Sequence, residues 1–323
     1  MTELQVIEHK QTALSTERRR ISEQARKYAE ESKAASTRKA YRTDWKDFCN
    51  WCERNGETVL PATPETVSDY LTFLATEKKR KASTIQRRIS SISQAHQMAG
   101  FDSPTRTQQV RMVWAGIKRS IGTHYERKEP ITKEEAHAIG KAIPDTLTGA
   151  RDRALLFLGL CGMFRRSELA ALTVDDLEFT RDCVIVTVQR SKTDQEGQGQ
   201  QKRIFYQSNP RVCPVRALQE WMEAAGITAG PLFRPTHTGR PGEKALSTRS
   251  IANTVKRYAE QIGLDPARFS GHSLRAGGIT TAKLNGAAEV DIARMSGHKS
   301  MQTLRIYMRH ADDIQNNASV GML

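Results

Sequence analysis

The sequence predicts a mainly α protein in two parts: a helical N-terminal domain, then a mixed α/β domain that is mainly helical with a small antiparallel sheet. Three observations carry this. Apolar residues recur at helical spacing from residue 37 to residue 118, with no strand pattern between them. One later segment, Cys183–Val188 (CVIVTV), is an apolar, β-branched run of strand length. The segments after it read as further helices, up to residue 308. A chain of 323 residues is long enough for about two domains.

Residues 1–35 are polar and rich in Glu, Arg and Lys, without a sustained apolar stripe, and are expected to form a flexible arm. The helical domain spans 36–119. Its first helix, 37–52, carries Tyr41, Trp45, Phe48 and Cys52 at spacings of four, three and four. Thr63-Pro64 opens the second, with Thr as N-cap and Pro in the first helical position, and its stripe is Val67, Tyr70, Leu71 and Leu74. The third starts at Ser83 and carries Ile85, Ile89, Ile92, His96 and Ala99. The fourth, 105–118, carries Val110, Val113, Trp114 and Ile117. Residues 120–131 are polar and read as a linker.

The second domain, 132–310, opens on Thr132 with Glu135, a capping box. Residues 154–160 are almost wholly apolar, which predicts a helix buried all round. Strand 183–188 pairs with 204–206 across a long polar hairpin loop, 190–203. Helices are expected at 212–223, 247–262, 273–284, 290–295 and 301–308. A short tail, 311–323, follows.

Lys and Arg number 50 against 36 acids, a net charge of +14, which predicts a polyanionic partner. Nucleic acid fits better than a membrane surface, because no basic amphipathic helix carries a Trp/Phe/Leu face. No run approaches the ~20 apolar residues that span a bilayer. The N-terminus lacks the basic-then-apolar order of a secretory signal. The expected location is cytoplasmic and nucleoid-associated. The cysteines, Cys49, Cys52, Cys161, Cys183 and Cys213, are odd in number and scattered, which argues against a disulfide framework. Cys49 and Cys52 form a CxxC, but no second pair follows at finger spacing. Their shared face with Trp45 and Phe48 reads as a buried helix face rather than a zinc site.

Four segments carry chemistry: Arg165-Arg166-Ser167-Glu168-Leu169, Ser191-Lys192-Thr193, Gly271-His272-Ser273-Leu274-Arg275, and Gly297-His298-Lys299 with Tyr307 behind it. Each alone has a bland reading: a surface ion pair, a polar turn, a rim tyrosine. As an ordered set they are what phosphodiester transfer needs. Two guanidiniums clamp the nonbridging oxygens of a phosphorane. A tyrosine attacks, a lysine protonates the departing oxygen, and histidines move protons. The inventory calls for no metal and no other cofactor, and the chain has neither a Walker A nor a zinc-protease motif. Exchange of phosphodiesters without ATP requires bond energy to be conserved, as a covalent phosphotyrosine does.

The order Arg-x-x-Glu-Leu, hairpin Lys, Gly-His-x-x-Arg, then Gly-His before Tyr resembles the tyrosine recombinases of the phage integrase family, most of all its Cre-like members. The resemblance runs from Ser36 to about Arg309. It includes Trp45…Phe48…Trp51-Cys52, Pro64-Glu65…Asp69-Tyr70-Leu71, Thr84-Ile85-Gln86, Leu246-Ser247-Thr248-Arg249 and Ser270-Gly271-His272-Ser273. It implies a core-binding (SAM-like) domain and a catalytic domain that close on DNA as a C-shaped clamp. It implies Tyr307 as nucleophile forming a 3′-phosphotyrosyl bond, Arg165 and Arg275 on the phosphate, and Lys192 as general acid. His272 and His298 would bond the phosphate or assist proton transfer, and Glu168 would orient its neighbours. Cre-like members carry Trp in the place of His298, whereas the wider family carries His. Arg166 stands where the family has an apolar residue, so Arg165 and Arg166 both compete for the first catalytic position; spacing to Glu168 points to Arg165.

The resemblance further implies a homodimer on each inverted-repeat site of double-stranded DNA, a homotetramer in synapsis passing through a Holliday junction, and no membrane role. The C-terminal tail would dock on a neighbouring protomer. Residues 78–88 (KKRKASTIQRR) hold six basic residues and no acid. Arg80, Lys81, Ser83, Thr84, Gln86 and Arg87 are the expected DNA contacts there, and Arg249 is expected to reach a guanine edge. The rival readings are a type IB topoisomerase or telomere resolvase with the same active-site chemistry, and a non-catalytic DNA-binding protein, which would have no need of Tyr307.

Overall fold

A computed structural model describes Gln24, Tyr28 and residues 32–124, 127–189, 199–237 and 239–315. The predicted arm therefore lies almost wholly outside the described residues. The chain divides into two compact units, Met1–Tyr125 and Glu126–Leu323.

The first unit is built from α1 (Ala35–Asn55), α2 (Pro64–Thr76), α3 (Ala82–Met98) and α4 (Gln108–Ile121). The side chain of Thr63 accepts from Thr66 N–H at 3.1 Å, and Pro64 fills the first helical position, as the sequence predicts. Phe48, Cys52, Val67, Tyr70, Leu71, Leu74, Ile85, Ile92 and Val110 merge into one core. Each Phe, Val, Leu or Ile side chain among them contributes roughly 1.5–3 kcal/mol on burial. His96, on the inner face of α3, is fully satisfied: its Nε2 accepts from Ala62 N–H at 2.9 Å and its Nδ1 lies 2.9 Å from Ile92 O. Cys52 belongs to this core, and burial pushes its thiol up to about 12, so it stays protonated.

The second unit begins with α5 (Lys133–Ala142), held by the reciprocal Thr132–Glu135 cap. Helix α6 (Leu147–Cys161) is buried along most of its length, and the short α7 (Arg166–Ala171) follows a tight turn. Strands β1 (Leu177–Phe179), β2 (Cys183–Val188) and β3 (Gln200–Phe205) form an antiparallel sheet in that order. Cys183 pairs with Phe205 and Val188 with Gln200, so β3 starts four residues before the strand predicted at 204–206. The ladder takes 200–203 out of the expected loop, since backbone pairing with β2 outweighs their polar side chains. β1 was not anticipated; three residues are too few to show a period.

Beyond the sheet come α8 (Pro214–Ala225), a small hairpin of β4 (Thr236–His237) and β5 (Arg240–Pro241), α9 (Thr248–Gln261), α10 (Gly271–Leu284), α11 (Glu289–Ser296) and α12 (Met301–Gln315). Helix α12 thus continues into the stretch expected to be tail. The expected linker is divided: residues 120–121 close α4, while Glu129 N–H and Ile131 N–H bond to Arg268 O and Ser273 O of the second unit. A large core gathers α6, α8, β2, α9 and α10. A smaller one, Met163, Ile279, Ile292, Leu304 and Met308, holds α12 to α10 and α11.

Candidate active site

The site is assembled in the second unit by three turns. The first joins α6 to α7. Met163, in the turn that leads out of α6, takes a left-handed φ of +50°, uncommon for a side-chain-bearing residue. Phe164 is then buried and Arg165 becomes the N-cap of α7. Glu168, only 4% exposed, folds back: its Oε2 accepts from Arg165 N–H at 2.9 Å and its Oε1 from Arg165 Nη1 at 2.6 Å. Arg165 Nη2 donates to Gly297 O at 3.2 Å.

The second turn opens α10. Ser270 caps it, accepting from His272 N–H at 3.2 Å, while Ser273 Oγ accepts from Ser270 N–H at 3.0 Å. The helix sits deep because glycines let backbone approach it. A Cβ on Gly277 would lie 2.2 Å from Ile131 O, and one on Gly278 2.2 Å from Leu160 O. This depth buries Arg275 to 1% exposure, with Nη1 donating to Met163 O at 2.8 Å and Nη2 3.3 Å from the His298 ring nitrogens. Burial, then Arg165, lowers Arg275 to about 10, so it remains a cation at neutral pH.

The third turn ends α11. Gly297, at φ +68°, supplies its left-handed cap. Ser296 is fully buried; its Oγ donates to Ile292 O at 2.6 Å and stands 2.7 Å from His298 Nδ1. The serine's one proton being used, His298 Nδ1–H donates to it and Nε2 is left to accept from Arg275. Burial, then Arg275 and Arg165, brings His298 down to about 3, so this ring is neutral. Tyr307, on α12, packs against the smaller core, and its hydroxyl lies 2.8 Å from His272 Nε2. Desolvation, then Arg275, Arg165 and Arg166, lowers the His272 pKa, which leaves a neutral ring able to accept the phenol proton.

Arg165, Glu168, His272, Arg275, His298 and Tyr307 thus converge, although they come from segments up to 142 residues apart (307 − 165). The fixed charge is positive, the histidines are neutral, and one phenol hydrogen-bonds a base. Such a site can bind a phosphodiester and activate a tyrosine. Lys192 lies outside the described residues. Arg166 is exposed, its stem against Gly271, and makes none of the contacts of Arg165. Two polar residues escaped the sequence reading. Ser296 orients His298. Lys202 on β3, 1% exposed, reaches Gly162 O at 2.8 Å. Its alternation with Ile204 is a core-facing strand signal, which a lysine ordinarily masks.

Of the expected DNA contacts in the first unit, Arg80, Lys81 and Ser83 are exposed and Thr84 is half-buried. Gln86 is exposed but accepts from Trp114 Nε1 at 2.9 Å. Arg87 is half-exposed and forks onto Asp44, at 2.6 and 3.0 Å. Arg88, counted with the surface charges of 78–88, is buried beside Asp44 and Asp47 instead. Arg249 is exposed in the first turn of α9, capped by Ser247. Among the described residues no helix is long and apolar enough to cross a membrane.

Residues 129–313 match the family model described as "Phage integrase family", and residues 26–100 match "Phage integrase, N-terminal SAM-like domain". The "Integrase/recombinase xerD homolog" of Selenomonas ruminantium is 40% identical over 304 residues, 93% of this chain and 89% of that protein. "Recombinase cre" of Escherichia phage P1 is 23% identical over 298 residues, 86% of this chain and 84% of that protein. In fold, the chain is similar to lambda integrase. The dimer bound to a COC′ core site superposes with a TM-score of 0.61 at 18% identity, covering 89% of this chain and 93% of that one. The tetramer bound to a Holliday junction gives 0.59 at 18% identity, covering 85% and 72%. With a family model over more than half its length and a relative at 40% identity, the chain belongs to the phage integrase family, the tyrosine site-specific recombinases.

Proposed function

We propose that this recombinase cuts and rejoins double-stranded DNA through a covalent bond to Tyr307. Tyr307 attacks the scissile phosphate and His272 accepts its proton. The phosphorus–5′-oxygen bond breaks, leaving a 3′-phosphotyrosyl ester and a 5′-hydroxyl, with Lys192 as the general acid on the leaving oxygen. Arg165 and Arg275 stabilise the charge that develops on the nonbridging oxygens. Glu168 holds Arg165, and His298 holds Arg275. Attack by the 5′-hydroxyl of a partner strand reverses the step, so neither ATP nor a metal is consumed. Exchange of one strand pair yields a Holliday junction and exchange of the second resolves it. The assembly is a dimer on each inverted-repeat site and a tetramer in synapsis, a reading supported by the lambda integrase dimer and tetramer. The recombinases among the relatives favour this reading over a type IB topoisomerase.

The observation that carries the proposal is the 2.8 Å contact of the Tyr307 hydroxyl with His272, within the cluster held by Arg165 and Arg275. The test uses a nicked duplex built on the site that the purified protein selects from random-sequence DNA. The protein forms a denaturation-resistant adduct that Tyr307→Phe abolishes while DNA binding persists. An adduct that survives in Tyr307→Phe removes Tyr307 as nucleophile.

A further inference from the structure

Lys202 stands behind the active site. It comes from β3, opposite Val186, and turns inward with Ile204 while Gln201 and Arg203 face outward. At 1% exposure it cannot touch substrate. Its Nζ donates to Gly162 O at 2.8 Å, lies 4.0 Å from Glu168 Oε2 and sits 4.4 Å from the centre of the Phe164 ring. The first two of these contacts each lead to an arginine. Gly162 precedes Met163, whose carbonyl accepts from Arg275, and Glu168 carries the ion pair to Arg165.

We infer that Lys202 is a positioning residue for phosphoryl transfer, its buried ammonium locking the Glu168 carboxylate and the Gly162–Met163 turn so that Arg165 and Arg275 converge on one phosphate. The inference rests on the reading of the site given above. Burying a lysine is costly, and an apolar side chain of equal length would fill the same volume without that cost. Desolvation brings the Lys202 pKa down to about 7, with Glu168 opposing and Arg275 and Arg165 reinforcing the shift. The charged groups facing it are therefore Glu168 on α7, Arg165 at the start of that helix and Arg275 on α10; neutral His298, after α11, also feels its charge. Charge at 202 falls as pH rises through about 7, and the hold on Glu168 weakens with it.

The test compares wild type, Lys202→Met and Lys202→Arg on the same nicked duplex, measuring DNA affinity and the single-turnover rate of covalent adduct formation from pH 6.5 to 8.5. Lys202→Met is expected to bind DNA within about 3-fold of wild type and to form adduct about 100-fold more slowly, the loss typical of misplaced reacting groups. Lys202→Arg, which keeps its charge, restores the rate to within about 5-fold at pH 7. Its rate relative to wild type climbs with pH, because only the lysine loses charge. Adduct formation by Lys202→Met at the wild-type rate overturns the inference. So does a loss of DNA binding that matches the loss of rate, or a Lys202→Arg protein as slow as Lys202→Met. If Lys202→Met does not fold, Lys202→Gln, a neutral donor, is held to the same outcomes. Absence of adduct with wild type would instead strike the proposed function itself.

Discussion

The hydroxyl of Tyr307 and Nε2 of His272 lie 2.8 Å apart, though one residue is on α12 and the other in the first turn of α10. The smaller core makes this possible. Leu304 and Met308 flank Tyr307 on α12 and are fully buried against Ile279 and Ile292, which fixes where the tyrosine can stand. The contact has chemical meaning because His272 is held neutral by its surroundings.

His272→Ala is expected to slow adduct formation by about 10²–10⁴-fold, the range for removing a general base. In wild type the rate falls as pH drops through the His272 pKa, which lies below the ordinary histidine value, because the protonated ring no longer accepts. His272→Ala loses this acid limb. A pH–rate profile of adduct formation for the two proteins checks both statements.

Arg165 and Arg166 are separated by one experiment. Arg165→Ala removes a guanidinium tied to Glu168 and Gly297 and is expected to cut the adduct rate by at least about 100-fold. Arg166→Ala, at an exposed position, is expected to cost less than about 10-fold. Equal losses in the two proteins would contradict this assignment.

His298 is expected to show no titration by NMR between pH 8 and 5, since its pKa lies at about 3. In the unfolded chain it titrates near 6.5. Between these values the unfolded state binds more protons, so this residue's contribution to stability is lost as pH falls from about 6.5 toward 3. Urea unfolding of His298→Phe against wild type measures it: the mutant's stability depends less on pH in that window.

Gly278→Ala is expected to destabilise the second unit by about 1–3 kcal/mol, because the new methyl group meets the Leu160 carbonyl at 2.2 Å and backbone must shift. Denaturant unfolding gives the number. A neutral result would mean that α10 is not seated as described.

Arg249→Ala is expected to relax base preference at one position of the selected site, by about 1–3 kcal/mol of discrimination. Sequence selection with the mutant protein reads this directly. A uniform loss across all sequences, with a shallower salt dependence, would mark a phosphate contact instead.

Much of this molecule was legible in one dimension. Thr63-Pro64 and Thr132 with Glu135 announce helix starts because capping is local: a side chain satisfies backbone groups two or three residues away. The buried helix around residues 154–160 and the strand 183–188 were equally plain, since burial on all sides leaves an unbroken apolar run. The ordered set of Arg, His, Arg, His and Tyr pointed to phosphoryl transfer because that chemistry limits which side chains can serve.

Other features were decided only by the fold. Charge in a sequence does not say where it ends up. Within 78–88, Arg88 is buried on Asp44 and Asp47, Arg87 forks onto Asp44, and Arg80 stays in solvent. Arg165 and Arg166 are adjacent and chemically identical, yet only Arg165 is aimed at Glu168 and Gly297, because it caps α7 while Arg166 is already in the helix. The sequence by itself determined the helices, the main strand and the inventory of reactive groups, which depend on local periodicity, capping and residue type. The tertiary structure decided which arginines are gathered with the two histidines and Tyr307 and which buried lysine stands behind them, because those positions depend on contacts between residues far apart in the chain.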